Sequence, residues 1–145
     1  MAYKGFFKPK NPRKYKGDPT NIIYRSRWEL RFMSYLDTHD DVLQWASEEI
    51  QIPYRSPKDN RVHRYFPDFW VKVKEPSGKV SEKLIEIKPF AQTQQPQPSK
   101  NKRRYLNEVL TYAVNTEKWR YARAYCEQRG WDFLIVTERE LGLKF

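Results

Sequence analysis

Apolar positions change period several times along the chain, and each change marks a predicted element. From Ser26 to Asp37, SRWELRFMSYLD brings Trp28, Phe32, Tyr35 and Leu36 onto one face at helical spacing, with Ser26 placed as an N-cap. The stretch VLQWASEEIQIPYRSP then predicts one or two short strands ended by Pro53 and Pro57. Two further strands, at about 64–73 and 82–88, are joined through Pro76-Ser77-Gly78. Residues 91–100, AQTQQPQPSK, are polar and Pro-rich and predict a loop, positioned as a mobile segment near a substrate. A helical region follows from about 101 to 129, with a break or bend expected near Asn115-Thr116. Gly130 introduces WDFLIVT, which reads as a buried strand, and ERELGLKF reads as a short closing helix. The order α, several β, α, β predicts a mixed α/β domain over 20–145, with an antiparallel hairpin beside a crossover helix. Residues 1–19, rich in Lys, Arg, Pro and Gly and without any period, read as a basic N-terminal arm.

Within that pattern the hairpin is anomalous. YFPDFWVKVKEPSGKVSEKLIEIKP reads as two apolar strands around a turn, yet Asp68 interrupts the first run and Glu86 the second. Side chains alternate along a strand, so Leu84, Glu86 and Lys88 share one face, and Phe66, Asp68 and Trp70 share a face of their own strand. Positions 68 and 86 are equidistant from Ser77. A turn centred there sets the two carboxylates directly opposite, with Cβ atoms roughly 5 Å apart. A one-residue slip sends one of them to the wrong face. Two such carboxylates repel unless a positive charge lies between them, and Mg²⁺ accepts one or two carboxylates with water and phosphate oxygens. That pairing, with Lys88 beside it to stabilise a pentavalent transition state or hold the attacking water, suits phosphodiester hydrolysis. The competing reading is a pair of edge-strand acids balanced by Lys72, Lys83 or Lys88.

Composition narrows the choice of partner. The 145 residues hold 28 Lys and Arg against 18 Asp and Glu, a net charge of +10, which suits a polyanionic partner: DNA, RNA or an anionic membrane. No stretch approaches the ~18 apolar residues of a membrane helix, and the N-terminus lacks a secretory core. Cys126 is the single cysteine, so an internal disulfide framework and zinc clusters are both excluded, and a reducing cytoplasm is expected.

Other residues carry two readings each. Glu29 lies at or beside the apolar stripe of the first helix, where it either completes a metal site or pairs with Arg25 four residues back. Glu48 and Glu49 offer one further acid near a metal or are solvated loop acids. His63 is a candidate phosphate contact or base, or else ordinary surface. Lys100, Lys102, Arg103 and Arg104 open the long helical region, where positive charge opposes the helix dipole, so DNA phosphate is one explanation and solvation the other. Trp119, Ala122, Tyr125 and Cys126 recur at helical spacing and read as core. Thr137 either meets the substrate or caps the closing helix.

Pro67-Asp68 on one strand and Glu86-x-Lys88 on the next resemble the PD-(D/E)xK nuclease superfamily. That resemblance implies a single restriction-endonuclease-like domain, a small mixed central sheet flanked by helices, and dependence on Mg²⁺ or Mn²⁺. Several members use a Glu from the helix before the sheet, which falls on Glu29. FKPKNPRKYKGDPTNIIYRSRWELRFMSYLD, WASEEIQIPYRSP, HRYFPDFWV, IEIKP and GWDFLIVTE together resemble the head-completion nucleases of T-even-like bacteriophages over almost the whole chain. By that resemblance Glu29, Asp68, Glu86 and Lys88 are catalytic, with Asp68, Glu86 and Glu29 as metal ligands. The expected role is a metal-dependent DNA endonuclease that acts after DNA packaging and before tail joining. Its expected setting is the host cytoplasm, at the phage head, with portal or neck proteins as partners. The alternative is a non-catalytic DNA-binding protein that seals or docks at the portal vertex. A double-strand break by so small a chain implies a homodimer or two encounters.

Overall fold

A computed structural model describes residues 4–141. Its centre is a four-stranded sheet in the order β3-β6-β7-β8, formed by Val42–Ser47, Phe69–Lys74, Val80–Ile87 and Asp132–Val136. The first three pair antiparallel, and β8 joins β7 in parallel. Parallel neighbours require a crossover, supplied here by a helix that spans Lys102–Arg129 (α2). The helix over Arg27–Thr38 (α1) covers the opposite face.

Strand alternation divides the core in two. Phe69, Val71 and Ile85 point towards α1, where they meet Phe32, Met33, Leu36 and Trp45. Trp70 and Leu84 point the other way, onto Trp119, Ala122 and Cys126 of α2. On β3, Val42 and Trp45 reach the same cluster despite odd spacing, because the register shifts between Val42 and Gln44. Glu86 belongs by parity to the α2 face.

The segment expected as one strand over 64–73 is two. Val62–Tyr65 (β5) pairs with Ile52–Arg55 (β4) in a separate hairpin, and β6 starts only at Phe69. Buried Pro67 lies between them; it has no N–H to give a ladder, so the chain changes partners there. Pro53 does not end a strand: it lies inside β4, a position open to proline in a two-stranded ribbon.

Residues 4–19 do not extend as an arm; residues 1–3 lie outside the described part. Gly5–Phe6 (β1) pairs with Ile23–Tyr24 (β2), and Tyr15 is buried edge-on against Trp45 at 4.7 Å between ring centres. The backbone N–H groups of Lys10 and Asn11 donate to the buried Asp37 carboxylate at 2.7 and 3.0 Å. These are backbone interactions, invisible to hydrophobic periodicity.

α2 runs without a break through Asn115 and Thr116; the Thr116 hydroxyl is accommodated by donating to the Tyr112 carbonyl at 2.7 Å. Its end is capped by Gly130 at φ 70°, in the left-handed region that favours glycine. β8 is an edge strand with Leu134 exposed, not a buried one. The closing helix spans Glu138–Leu141 (α3), and 142–145 lie outside the described residues. Thr137 is its cap: the Thr137 N–H and hydroxyl both donate to Glu140 Oε2, at 2.7 and 2.6 Å. Among the described residues no helix is long and apolar enough to cross a membrane.

Candidate active site

The β6–β7 ladder pairs Phe69 with Ile85 and Trp70 with Leu84. One step outward in that register, Asp68 lies opposite Glu86, as the equal spacing from Ser77 predicts. Asp68 is locked in place by the Ile87 N–H, which donates to its Oδ2 at 2.7 Å. Glu86 is 5% exposed, and the indole N–H of Trp119 on α2 lies 3.4 Å from its Oε2. One carboxylate is therefore held by the backbone of the neighbouring strand and the other by the crossover helix.

Both open into a cleft of about 530 Å³ whose lining also includes Glu29, Lys88, Arg64 and Lys118. Burial pushes the Asp68 carboxyl well above the usual carboxylate range, and the Glu86 charge adds to the shift, against the Ile87 N–H. Burial also raises Glu29, whose Oε2 accepts from the Arg25 backbone N–H at 3.1 Å. Glu29 has a local duty too. The Ser26 hydroxyl accepts from its N–H at 3.1 Å, which caps α1 and aims the carboxylate back over the helix start. The Arg25 guanidinium is engaged elsewhere, with Glu48. Glu48 has φ 53°, uncommon for a residue with a side chain, and its N–H donates to the Asp68 carbonyl at 3.1 Å. Its charge also raises Glu29, so Glu48 borders the site through its neighbours.

Asp68 and Glu86 form no ion pair with a described side chain, and their donor chemistry fits a small divalent cation. Among the described residues no three acids, histidines or cysteines gather into a group that could hold a metal ion, so Glu29 is not brought together with Asp68 and Glu86 as the expected third ligand. That is compatible with Mg²⁺, which keeps several waters and takes phosphate oxygens. Asp68 and Glu86 are the residues that would hold such an ion. Glu29 lines the same cleft and raises Asp68 through its charge.

The basic residues expected to contact DNA are not gathered there. Arg103 and Arg104 line a second cleft, of about 610 Å³, between the Pro-rich segment and the first half of α2, and Lys100 and Lys102 are exposed. Arg104 pairs with Glu108 at 3.0 Å. His63 is exposed on β5 and pairs with Asp59 at 2.8 Å. Cys126 is buried, and burial pushes its thiol up to about 11, consistent with an inert structural residue. The site residues that sequence reading missed are Lys118, Arg64 and Tyr65. Each lies outside the acidic motif, and Lys118 is 30 or more positions from both carboxylates.

This fold and this acid pair define a class. The chain belongs to the TnsA-like endonuclease N-terminal family, which its residues 39–138 match. That span holds Asp68, Glu86, Lys88 and Lys118 but not Glu29. The chain is also similar to the head completion nuclease of Enterobacteria phage T4, with 43% identity over 99% of both chains.

Proposed function

We propose that the protein is a Mg²⁺- or Mn²⁺-dependent DNA endonuclease that acts on the phage genome during head completion, after packaging. The observation that carries this reading is the opposition of Asp68 and Glu86 across two neighbouring strands, beside Lys88 on the floor of an open cleft. The head-completion setting is supported by the similarity along the full chain to a protein of that name. Portal or neck proteins are the proposed partners at the head.

A bound divalent ion would polarise the scissile phosphate, offset the charge that develops on it and make a water more acidic. Asp68 and Glu86 would hold it, the first oriented by the Ile87 N–H and the second by the Trp119 indole. Lys88 follows Glu86 by two residues, and its backbone N–H donates to the Val136 carbonyl at 3.0 Å, which continues the strand and keeps its side chain on the Glu86 face. From there its ammonium stabilises the pentavalent phosphorus or orients the attacking water. Glu29 bounds the cleft from α1 and adds negative charge where a cation is to be held.

The experiment is incubation of linear, supercoiled and branched DNA with the purified protein in Mg²⁺, Mn²⁺ or EDTA. Cutting in metal and none in EDTA is expected. Tight binding without cutting in either metal would contradict the enzymatic reading and favour a DNA-binding plug at the portal.

A further inference from the structure

Lys118 is half-buried on the inner side of α2. Its ammonium lies 5.7 Å from the ring centre of Tyr65 and 5.9 Å from that of Tyr54, so two aromatic faces hold it over the cleft. Holding a cation part-way out of water is costly without a counter-charge. Its own helix offers none: positions 114, 115, 121 and 122, one turn away on either side, are Val, Asn, Tyr and Ala. The adjacent Glu117 is taken by Arg120, at 2.8 and 3.0 Å.

The negative charges that Lys118 faces are Glu86 and Asp68, with Lys88 as a like-charged neighbour. Among the described residues it forms no ion pair with either acid. A lysine that served only to neutralise Glu86 would close on it. This one stays on its tyrosine platform, beside a carboxylate pair whose donors suit a metal. Tyr65 reinforces that arrangement: it is 4% exposed, so its ring is a fixed, buried platform beside the two carboxylates.

We propose that Lys118 is a phosphate-binding residue of the cleft, which grips a DNA backbone phosphate next to the Asp68–Glu86 pair from the α2 side. The proposal rests on the nuclease reading for the identity of its ligand. A compact ammonium with three free donors is suited to a phosphate oxygen. With Lys88 on the strand side, the two lysines bracket the substrate from opposite walls.

The test is binding of a short blunt duplex in EDTA across a salt series, for wild type, Lys118→Met and Lys118→Arg. Methionine keeps the apolar stem over the tyrosines and removes the charge. Loss of one phosphate contact lowers the log–log salt slope by about 0.9. That loss is expected in Lys118→Met, with the wild-type slope kept in Lys118→Arg. In Mg²⁺, kcat/KM should fall about tenfold or more in Lys118→Met, the scale of one charge contact removed. An unchanged slope in Lys118→Met overturns the proposal, and Lys118→Gln replaces it in the same measurement should the methionine variant misfold. A wild type that binds DNA but never cuts overturns the nuclease reading, while the slope still decides on Lys118.

Discussion

At the scale of single residues, the site is a compromise between stability and chemistry. Asp68 keeps its proton more tightly folded than unfolded, because burial and Glu86 raise its pKa above the ordinary 3.8. For a raised carboxyl, the stabilising contribution is complete below the unfolded value and is lost as pH climbs through the folded one. In EDTA at neutral pH, Asp68→Asn should therefore melt at a higher temperature than wild type, since the amide oxygen can still accept from Ile87. Below about pH 4 the two should melt alike. Added Mg²⁺ should raise the wild-type melting temperature, more so at higher pH, and hardly move the variant. Calorimetry in EDTA with wild type the more stable at neutral pH would mean that the acid pair carries no electrostatic penalty. The pairing itself was legible in the sequence, because a two-residue period and a turn centred on Ser77 leave one register that opposes the acids. Lys118 was not, since nothing local marks a helical lysine as lining a strand-borne site.

Elements place those residues. Ser26 both starts α1 and aligns Glu29, so Ser26→Ala should cost about 1 kcal/mol in urea unfolding and reduce cleavage further than its stability loss explains. A pure stability effect would restrict Ser26 to capping. On the other face, Trp119 brings an indole N–H to Glu86 across the crossover helix. Trp119→Phe retains most of the packing and removes that donor; cleavage should fall roughly 10–100-fold, as for groups that orient a metal ligand. Wild-type rates in this variant would show that the strand alone orients Glu86. The helices and the central hairpin were readable from period and capping. The separation of β5 from β6 was not, because Tyr65-Phe66-Pro67-Asp68-Phe69 continues the apolar run while Pro67 breaks the ladder. Likewise the unbroken α2 contradicts the bend that Asn115-Thr116 suggested, since tertiary burial of Asn115 outweighs its weak helix preference.

At the scale of the molecule, the sheet carries α1 on one face and α2 on the other, and the acid pair sits where β6 and β7 meet both layers. The N-terminal segment is part of this body through Asp37, a connection that composition hides: a run of Lys, Arg and Pro looks solvated until its N–H groups find a buried carboxylate. Asp37→Ala leaves those donors unsatisfied and should destabilise the fold by about 1–3 kcal/mol, measured by urea unfolding. An unchanged midpoint would return the segment to the status of an arm. The net charge of +10 gives the whole surface an attraction for DNA, so affinity alone cannot distinguish an enzyme from a plug. Cleavage can. The most direct measurement is therefore DNA cutting by wild type, Asp68→Asn and Glu86→Gln in Mg²⁺, Mn²⁺ and EDTA, with binding measured in parallel. Metal-dependent cutting by wild type that drops on the order of a hundredfold or more in both variants, with affinity nearly unchanged, is the predicted result. Equal cutting by all three proteins would contradict the assignment of the acid pair.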